Sequence, residues 1–157
     1  MSVSAKLQHY LARKQVRFDI TEHHPTKDAM STAEACQIPA ERLAKAVVVR
    51  SREGYLLAVL PASQRISLSR LQLALGQPYA LATEGELDRL FDDCAHGAVP
   101  PIGECYGLDV VVEPGVFDAT DIYFEAGDHK TLIHMSKTQF SRLSDEARRA
   151  HFAAAFE

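Results

Sequence analysis

Two stretches of this chain have residue types and spacing suited to chemistry: a lysine heading an apolar run, and a loop built from glycines and prolines. Lys45 opens the run Lys45-Ala46-Val47-Val48-Val49-Arg50. Strand alternation puts Lys45, Val47 and Val49 on one face, with Ala46, Val48 and Arg50 on the other. A lysine sharing a face with valines has two options. It carries its ammonium out to water at the strand's end, the commoner arrangement. Otherwise it points into a cavity, where a compact cation with three donors suits a phosphate or a carbonyl oxygen. The second stretch is His96-Gly97-Ala98-Val99-Pro100-Pro101-Ile102-Gly103. Its glycines and prolines exclude both helix and central strand. Such a loop is either a plain surface turn or a rigid support that holds backbone N–H groups against an oxyanion or a ribose hydroxyl.

Other chemistries find little support. His23 and His24 are adjacent, so on a strand they face opposite sides and cannot share one metal. Cys94-x-His96 has no matching pair at metal-site spacing, and neither His129 nor His134 belongs to an HExxH pattern. Cys36, Cys94 and Cys105 make an odd count without CxxC spacing, which reads as small, partly buried thiols. His129 lies in a predicted turn, from which its ring either reaches a cleft or stays in solvent. No GxSxG elbow is present, and Ser136 or Cys105 has no evident base. No Walker loop or GxGxxG follows a strand. The carboxylates form no glycosidase-like pair.

The elements that must position Lys45 and the loop read as follows. Residues 4–15 have helical spacing through Leu7, Tyr10 and Leu11. Val16 to Thr21 alternates as a half-buried strand, with Val16, Phe18 and Ile20 on one face, broken by His23-His24-Pro25. Ser31-Thr32-Ala33-Glu34 has the form of a capping box before a short helix, and Pro39 opens another helical turn. Lys45–Arg50 and Tyr55–Leu60 form a hairpin with a glycine-containing turn. Ser67 caps a helix stopped by Gly76, and Thr83-Glu84-Gly85-Glu86 is a second capping box. Leu108–Val112, Asp121–Glu125 and Lys130–Met135 read as strands, Ser136 caps a short turn, and Ser144 to Phe156 reads as an alanine-rich helix. The order predicts an α/β fold with a mixed, mostly antiparallel central sheet surrounded by helices.

The chain has 157 residues, 46% hydrophobic and 24% charged, which predicts a single domain over 1–157. Formal net charge is −4, so no broadly basic nucleic-acid coat exists and DNA binding is not expected. Local basic clusters at Arg13, Lys14 and Arg17, and at Arg50 and Arg52, read as solvated faces. No stretch approaches the ~20 apolar residues of a membrane span. The N-terminus lacks a secretory pattern, so cytosol is the expected compartment.

Taken together, the residues resemble the YbaK/prolyl-tRNA-synthetase-associated editing domains, from about His24 to about Leu143. The likeness rests on His24-Pro25, on Leu43-Ala44-Lys45-Ala46-Val47-Val48-Val49 at the position of the family's lysine, on Gly97-Ala98-Val99-Pro100-Pro101 as its GxxxP loop, and on the closing hairpin Phe124 to Ile133. The resemblance implies a free-standing deacylase that hydrolyses the ester joining a wrong amino acid to the end of a tRNA. It implies no metal and no cofactor. Its partner would be the acceptor end of an aminoacyl-tRNA, with a synthetase partner left open. Carried over, Lys45 is the essential lysine, and Gly97 and Pro101 frame the loop against the terminal ribose and aminoacyl carbonyl. Ala98, Val99 and Pro100 then contact substrate, and His129 is a polar wall residue. Ala46 stands where alanine-specific members tend to carry asparagine, which leans the expectation towards serine or threonine; alanine, and cysteine on tRNA-Pro, remain alternatives. A non-catalytic tRNA- or synthetase-binding module and a small-molecule ester or amide hydrolase are the competing readings.

Overall fold

The computed structural model describes residues 3–156. The chain begins with α1 (Ala5–Lys14), β1 (Asp19–Glu22) and α2 (Ala29–Ala35). A 3-10 turn at Ala40–Arg42 leads into β2 (Ala44–Ser51), β3 (Gly54–Pro61), β4 (Gln64–Ile66) and α3 (Leu68–Leu75). Then come β5 (Ala80–Leu81), α4 (Glu84–Leu90) and the irregular loop. The chain closes with β6 (Asp109–Val112), β7 (Asp121–Glu125), β8 (Thr131–Ser136), α5 (Lys137–Leu143), β9 (Arg148–Arg149) and β10 (Ala153–Ala155).

The β2–β3 hairpin is the axis of the fold. It pairs in antiparallel register from Ala44↔Pro61 to Ser51↔Gly54, inside a five-stranded sheet of order β5-β2-β3-β6-β9. β6 and β9 join in parallel, so the sheet is mixed, while β1-β8-β7 forms a separate antiparallel sheet. Every β3 residue from Leu56 to Pro61 is buried, as expected for a strand covered on both faces. One face, through Ala44, Val48, Leu57 and Val59, packs against Leu7, Tyr10 and Leu11 of α1 and Ile122, Phe124, Ile133 and Met135 of the second sheet. The other, through Val49, Leu56, Ala58 and Leu60, packs against Leu71 of α3 and Phe152.

Local chemistry explains the ends of the elements. Ser4, Ser67, Thr83 and Ser136 each accept a backbone N–H at a helix start. The Thr83–Glu86 capping box is complete in both directions. Ser4 does more than cap. Its N–H donates to the Ala126 carbonyl at 2.9 Å, its hydroxyl donates to Asp93 Oδ2 at 2.7 Å, and that hydroxyl also meets the Tyr106 hydroxyl at 2.5 Å. The start of the chain is thereby tied to the loop region and the β7–β8 turn.

Five local expectations are corrected. Ser31 does not cap α2: Asp28 does, accepting the Ser31 N–H at 2.8 Å, so the helix begins before the apparent capping box. Pro39 is the N-cap of its 3-10 turn rather than its first residue. The strand after α1 starts at Asp19, and although Val16 is buried, Phe18 and Ile20 are 39% and 60% exposed; β1 lies at one edge of its sheet and all four of its residues are exposed. Residues 144–156 are not a helix. Arg148 and Arg149 pair with β6, and Ala153–Ala155 pair with β4. Glu113, itself buried, accepts the N–H groups of Phe152 and Ala153 at 2.9 and 2.7 Å. Ser136, expected to cap a short turn, opens α5.

Candidate active site

The glycine-proline loop is organised around Gly97. This residue is exposed and adopts φ +77°, and a Cβ placed there would lie 3.2 Å from His129 Nε2 and 3.6 Å from the Lys27 carbonyl oxygen. Glycine is therefore required twice, for its left-handed backbone and for the imidazole packed against it. Gly97 and Val99 edge a small cleft of about 60 Å³ against Leu87, Phe91 and Cys94. The rest of the loop turns inward. Ala98 is fully buried, and Pro100, Pro101 and Ile102 are buried as well. Pro101 lies on a separate groove of about 500 Å³ with Tyr55, Tyr79 and Leu108. That groove is at the turn end of the β2–β3 hairpin, whereas Lys45 pairs with Leu60 near the opposite end. Of the loop residues expected to meet a ligand, then, Gly97 and Val99 sit at the surface, while Ala98, Pro100 and Pro101 support them from beneath.

His129 reaches Gly97 because of the β7–β8 turn. Asp128 accepts the N–H groups of Lys130 and Thr131 at 3.0 and 2.8 Å and the Thr131 hydroxyl at 2.8 Å. Burial raises the Asp128 carboxyl, but these donors outweigh it and leave it below its usual range. Gly127 has φ +105° and His129 has φ +62°. The left-handed conformation is uncommon for a residue with a Cβ, and here it turns the ring inward, leaving its side chain 14% exposed.

Behind the ring lies a buried polar group drawn from separate segments of the chain. Glu125 Oε1 is 3.7 Å from His129 Nδ1, 3.2 Å from His23 Nε2, and accepts the Thr32 hydroxyl at 3.2 Å. Thr32 in turn meets the Thr26 hydroxyl at 2.5 Å. The side chains of His23 and Glu125 are 2% and 10% exposed. His23 points inward and His24 outward, as alternation requires. His23 Nδ1 lies 2.6 Å from the His24 carbonyl. Glu125 Oε2, His23 Nε2 and His129 Nδ1 are buried without an aligned hydrogen-bond partner. Burial pushes the Glu125 carboxyl above its ordinary range, and the two histidines and Thr32 oppose that push. Among the described residues no group of three His, Cys, Asp or Glu is arranged to hold a metal ion. No helix among them is long and apolar enough to cross a membrane.

Lys45 is half-buried on the face that carries Val49, and its Nζ lies 5.0 Å from the Phe156 ring centroid. Burial lowers its pKa, and the nearby charge of Asp28 works against that. Asp28 is held below its usual range by the Ser31 N–H and side chain, with smaller help from Lys27 and Lys45. No hydrogen bond or ion pair joins Lys45 to residues 97–101 among the described residues. The link runs through the segment between them: the Lys27 carbonyl lies against Gly97, and the next residue, Asp28, faces Lys45. The strands supply a second link. Leu43 bridges Tyr123 in parallel, so each chain reaches Lys45 and Glu125 two residues further on. The Gly97 corner, His129, His23, Thr32 and Glu125 thus form one contiguous group, and Lys45 is approached from it through Lys27 and Asp28.

Comparison with known proteins identifies the family. The family model described as the aminoacyl-tRNA editing domain matches residues 23–143. Over 140 residues the chain is 30% identical to the multifunctional Ser/Thr-tRNA deacylase ProXp-y of Escherichia coli (strain K12), covering 85% of this chain and 83% of that protein. Among solved structures it matches a protein proposed as a trans-editing enzyme for prolyl-tRNA synthetase, with a TM-score of 0.82 and 20% identity over 98% of this chain and 100% of that one. A hypothetical protein matches with a TM-score of 0.84 and 18% identity over 95% and 99% of the two chains. These two structures share the fold. The chain belongs to the aminoacyl-tRNA editing domain family, and its activity is hydrolysis of mischarged aminoacyl-tRNA.

Proposed function

We propose that the chain removes serine or threonine from mischarged tRNA, with Lys45 and the Gly97 corner holding the terminal aminoacyl-adenosine. The observation that carries this reading is the contact between the Gly97 backbone and the buried His129–Glu125–His23 group. A polar wall at the corner where the amino acid would sit suits a side chain that bears a hydroxyl. A relative named for Ser/Thr-tRNA deacylation supports the same choice.

The ester of an aminoacyl-tRNA is already activated, so position and oxyanion stabilisation are the main demands on the protein. Lys45, on a strand and half-buried, offers a compact cation to the terminal phosphate or to the carbonyl oxygen. Backbone N–H groups around Gly97 orient the ester, and water or the vicinal ribose hydroxyl completes the cleavage. Val99 and His129 contact the aminoacyl group, while Ala98, Pro100 and Pro101 hold the corner rigid. The tRNA end is the substrate. A synthetase is a further partner, and the cytoplasm, where tRNA is charged, is the compartment.

The test is deacylation of Ser-, Thr-, Ala- and Cys-tRNA by the wild type beside Lys45→Ala. The expected result is hydrolysis of the hydroxyl amino acids, reduced roughly 10²- to 10³-fold by the substitution. Binding without turnover across the panel would overturn the reading.

A further inference from the structure

The geometry points to Glu125 as a positioning residue that sets the substrate preference of this site through His129; the inference rests on the serine/threonine reading above. The proton arrangement follows from the contacts. A carbonyl oxygen only accepts, so the 2.6 Å contact with the His24 carbonyl places a proton on His23 Nδ1. His23 Nε2 then faces Glu125 Oε1 at 3.2 Å. The same carboxylate faces His129 Nδ1 at 3.7 Å. That is beyond a direct hydrogen bond, so the carboxylate acts through its charge, which favours the His129 tautomer with its proton on Nδ1. Nε2 is then left as an acceptor, and this is the atom that lies against Gly97.

An acceptor at that corner discriminates by chemistry rather than by size. A serine or threonine hydroxyl donates to Nε2, and alanine, one oxygen smaller, has nothing to donate. Exclusion by volume alone separates such small side chains weakly, whereas a site built around a hydrogen bond to the substrate separates them strongly. Three features argue that Glu125 acts through orientation: its side chain is 10% exposed, its Oε2 is buried without a partner, and the histidine it faces is held in a left-handed backbone conformation. Sealed from solvent, Glu125 fixes which nitrogen of His129 carries the proton.

The experiment compares kcat/KM on Ser-tRNA and Ala-tRNA for the wild type, Glu125→Gln, Glu125→Asp, His129→Gln and the Glu125→Gln/His129→Gln double variant, with thermal unfolding of each. The amide of Glu125→Gln presents an N–H to His129 Nδ1 and reverses the tautomer. The Ser:Ala ratio is expected to fall roughly 10- to 100-fold, the worth of one buried hydrogen bond. Glu125→Asp, which keeps the charge, retains most of the ratio, and the double variant is no less selective than His129→Gln alone. An unchanged ratio in a folded Glu125→Gln, or additive losses in the double variant, overturns the inference and leaves the proposed function standing. If Glu125→Gln does not fold, loss of the ratio in Glu125→Asp overturns it instead. A wild type inactive on both Ser- and Thr-tRNA overturns the proposed function and this inference together.

Discussion

Replacing Gly97 by alanine separates what the loop backbone does from what the imidazole beside it does. At φ +77° an L side chain costs about 1–2 kcal/mol. The added Cβ would also sit 3.2 Å from His129 Nε2 and 3.6 Å from the Lys27 carbonyl, so the ring must give by a few tenths of an ångström. In a chain of 157 residues, about 1 kcal/mol corresponds to roughly 2–4 °C in Tm. Tm is therefore expected to fall by about 2–8 °C with the fold intact. Small misplacements of positioning groups cost up to about 10²-fold in rate, so kcat/KM on Ser-tRNA should fall roughly 10- to 100-fold. Gly97→Asn divides the two contributions. Asparagine tolerates the left-handed region, so most of the lost Tm returns, but its Cβ meets the same ring and activity stays low. Thermal unfolding and single-turnover deacylation on the three proteins measure both effects. Full activity in Gly97→Asn would refute a functional contact between Gly97 and His129. Unchanged Tm in Gly97→Ala would refute the conformational argument.

Three further outcomes are expected. Gly127→Ala should destabilise more than Gly97→Ala, since its φ is +105° and its Cβ would meet the Ser4 Cβ at 3.1 Å and the Ser4 backbone N at 3.2 Å, which are less able to yield than a ring; the ranking of the two Tm values checks this. Lys45→Ala should lower Tm by little, because the charge over Phe156 contributes only about 0.5–1 kcal/mol, while deacylation falls about 10²–10³-fold; equal losses of stability and activity would point to a structural lysine instead. The Glu86 carboxyl is held down to about 2 by the Tyr55 hydroxyl and the Thr83 N–H, with burial opposing. A group whose folded pKa lies below its unfolded one stabilises fully above the ordinary carboxylate range and loses that contribution as pH falls towards 2. Stability measured by denaturant between pH 5 and about 2 should thus fall less steeply in Glu86→Gln than in the wild type.

What could be read without coordinates follows the range of the interactions involved. Thr83 and Glu86 are three residues apart, and Ser67 and Arg70 likewise, so their caps were visible in the sequence. The β2–β3 hairpin was visible because its apolar runs flank a short polar turn. The segment from Ser144 to Phe156 was misread because alanine's helix preference is only a few tenths of a kcal/mol per residue. It yields to two N–H bonds from Phe152 and Ala153 to Glu113, and to pairing with β4. Ser31 looked like a cap because Asp28, three residues earlier, competes for the same role and wins it. At the proposed site, Lys45, the loop and His129 were legible, their roles through the family resemblance. His23 and Glu125 were not. Thr32 and Glu125 are 93 positions apart, and alternation separates His23 from its neighbour His24, leaving it no partner visible in the sequence. One signal was available: an acidic residue closing an apolar strand, four positions before a histidine, in a hairpin already suspected of lining the site.

The tie at Ser4 limits how far this domain can be transplanted. The stretch matched by the family model runs from 23 to 143, yet the Ser4 N–H holds Ala126, two residues before the turn that aims His129. The Ser4 hydroxyl meets Asp93 and Tyr106 on either side of the glycine-proline loop. A fragment excised at those borders would lose α1, this tie, and the strands β9 and β10 that finish two of the sheets. The part that carries the chemistry is therefore not a portable module. Grafted into another protein without the first helix and the closing strands, it would bring the reactive groups but not the frame that aims them.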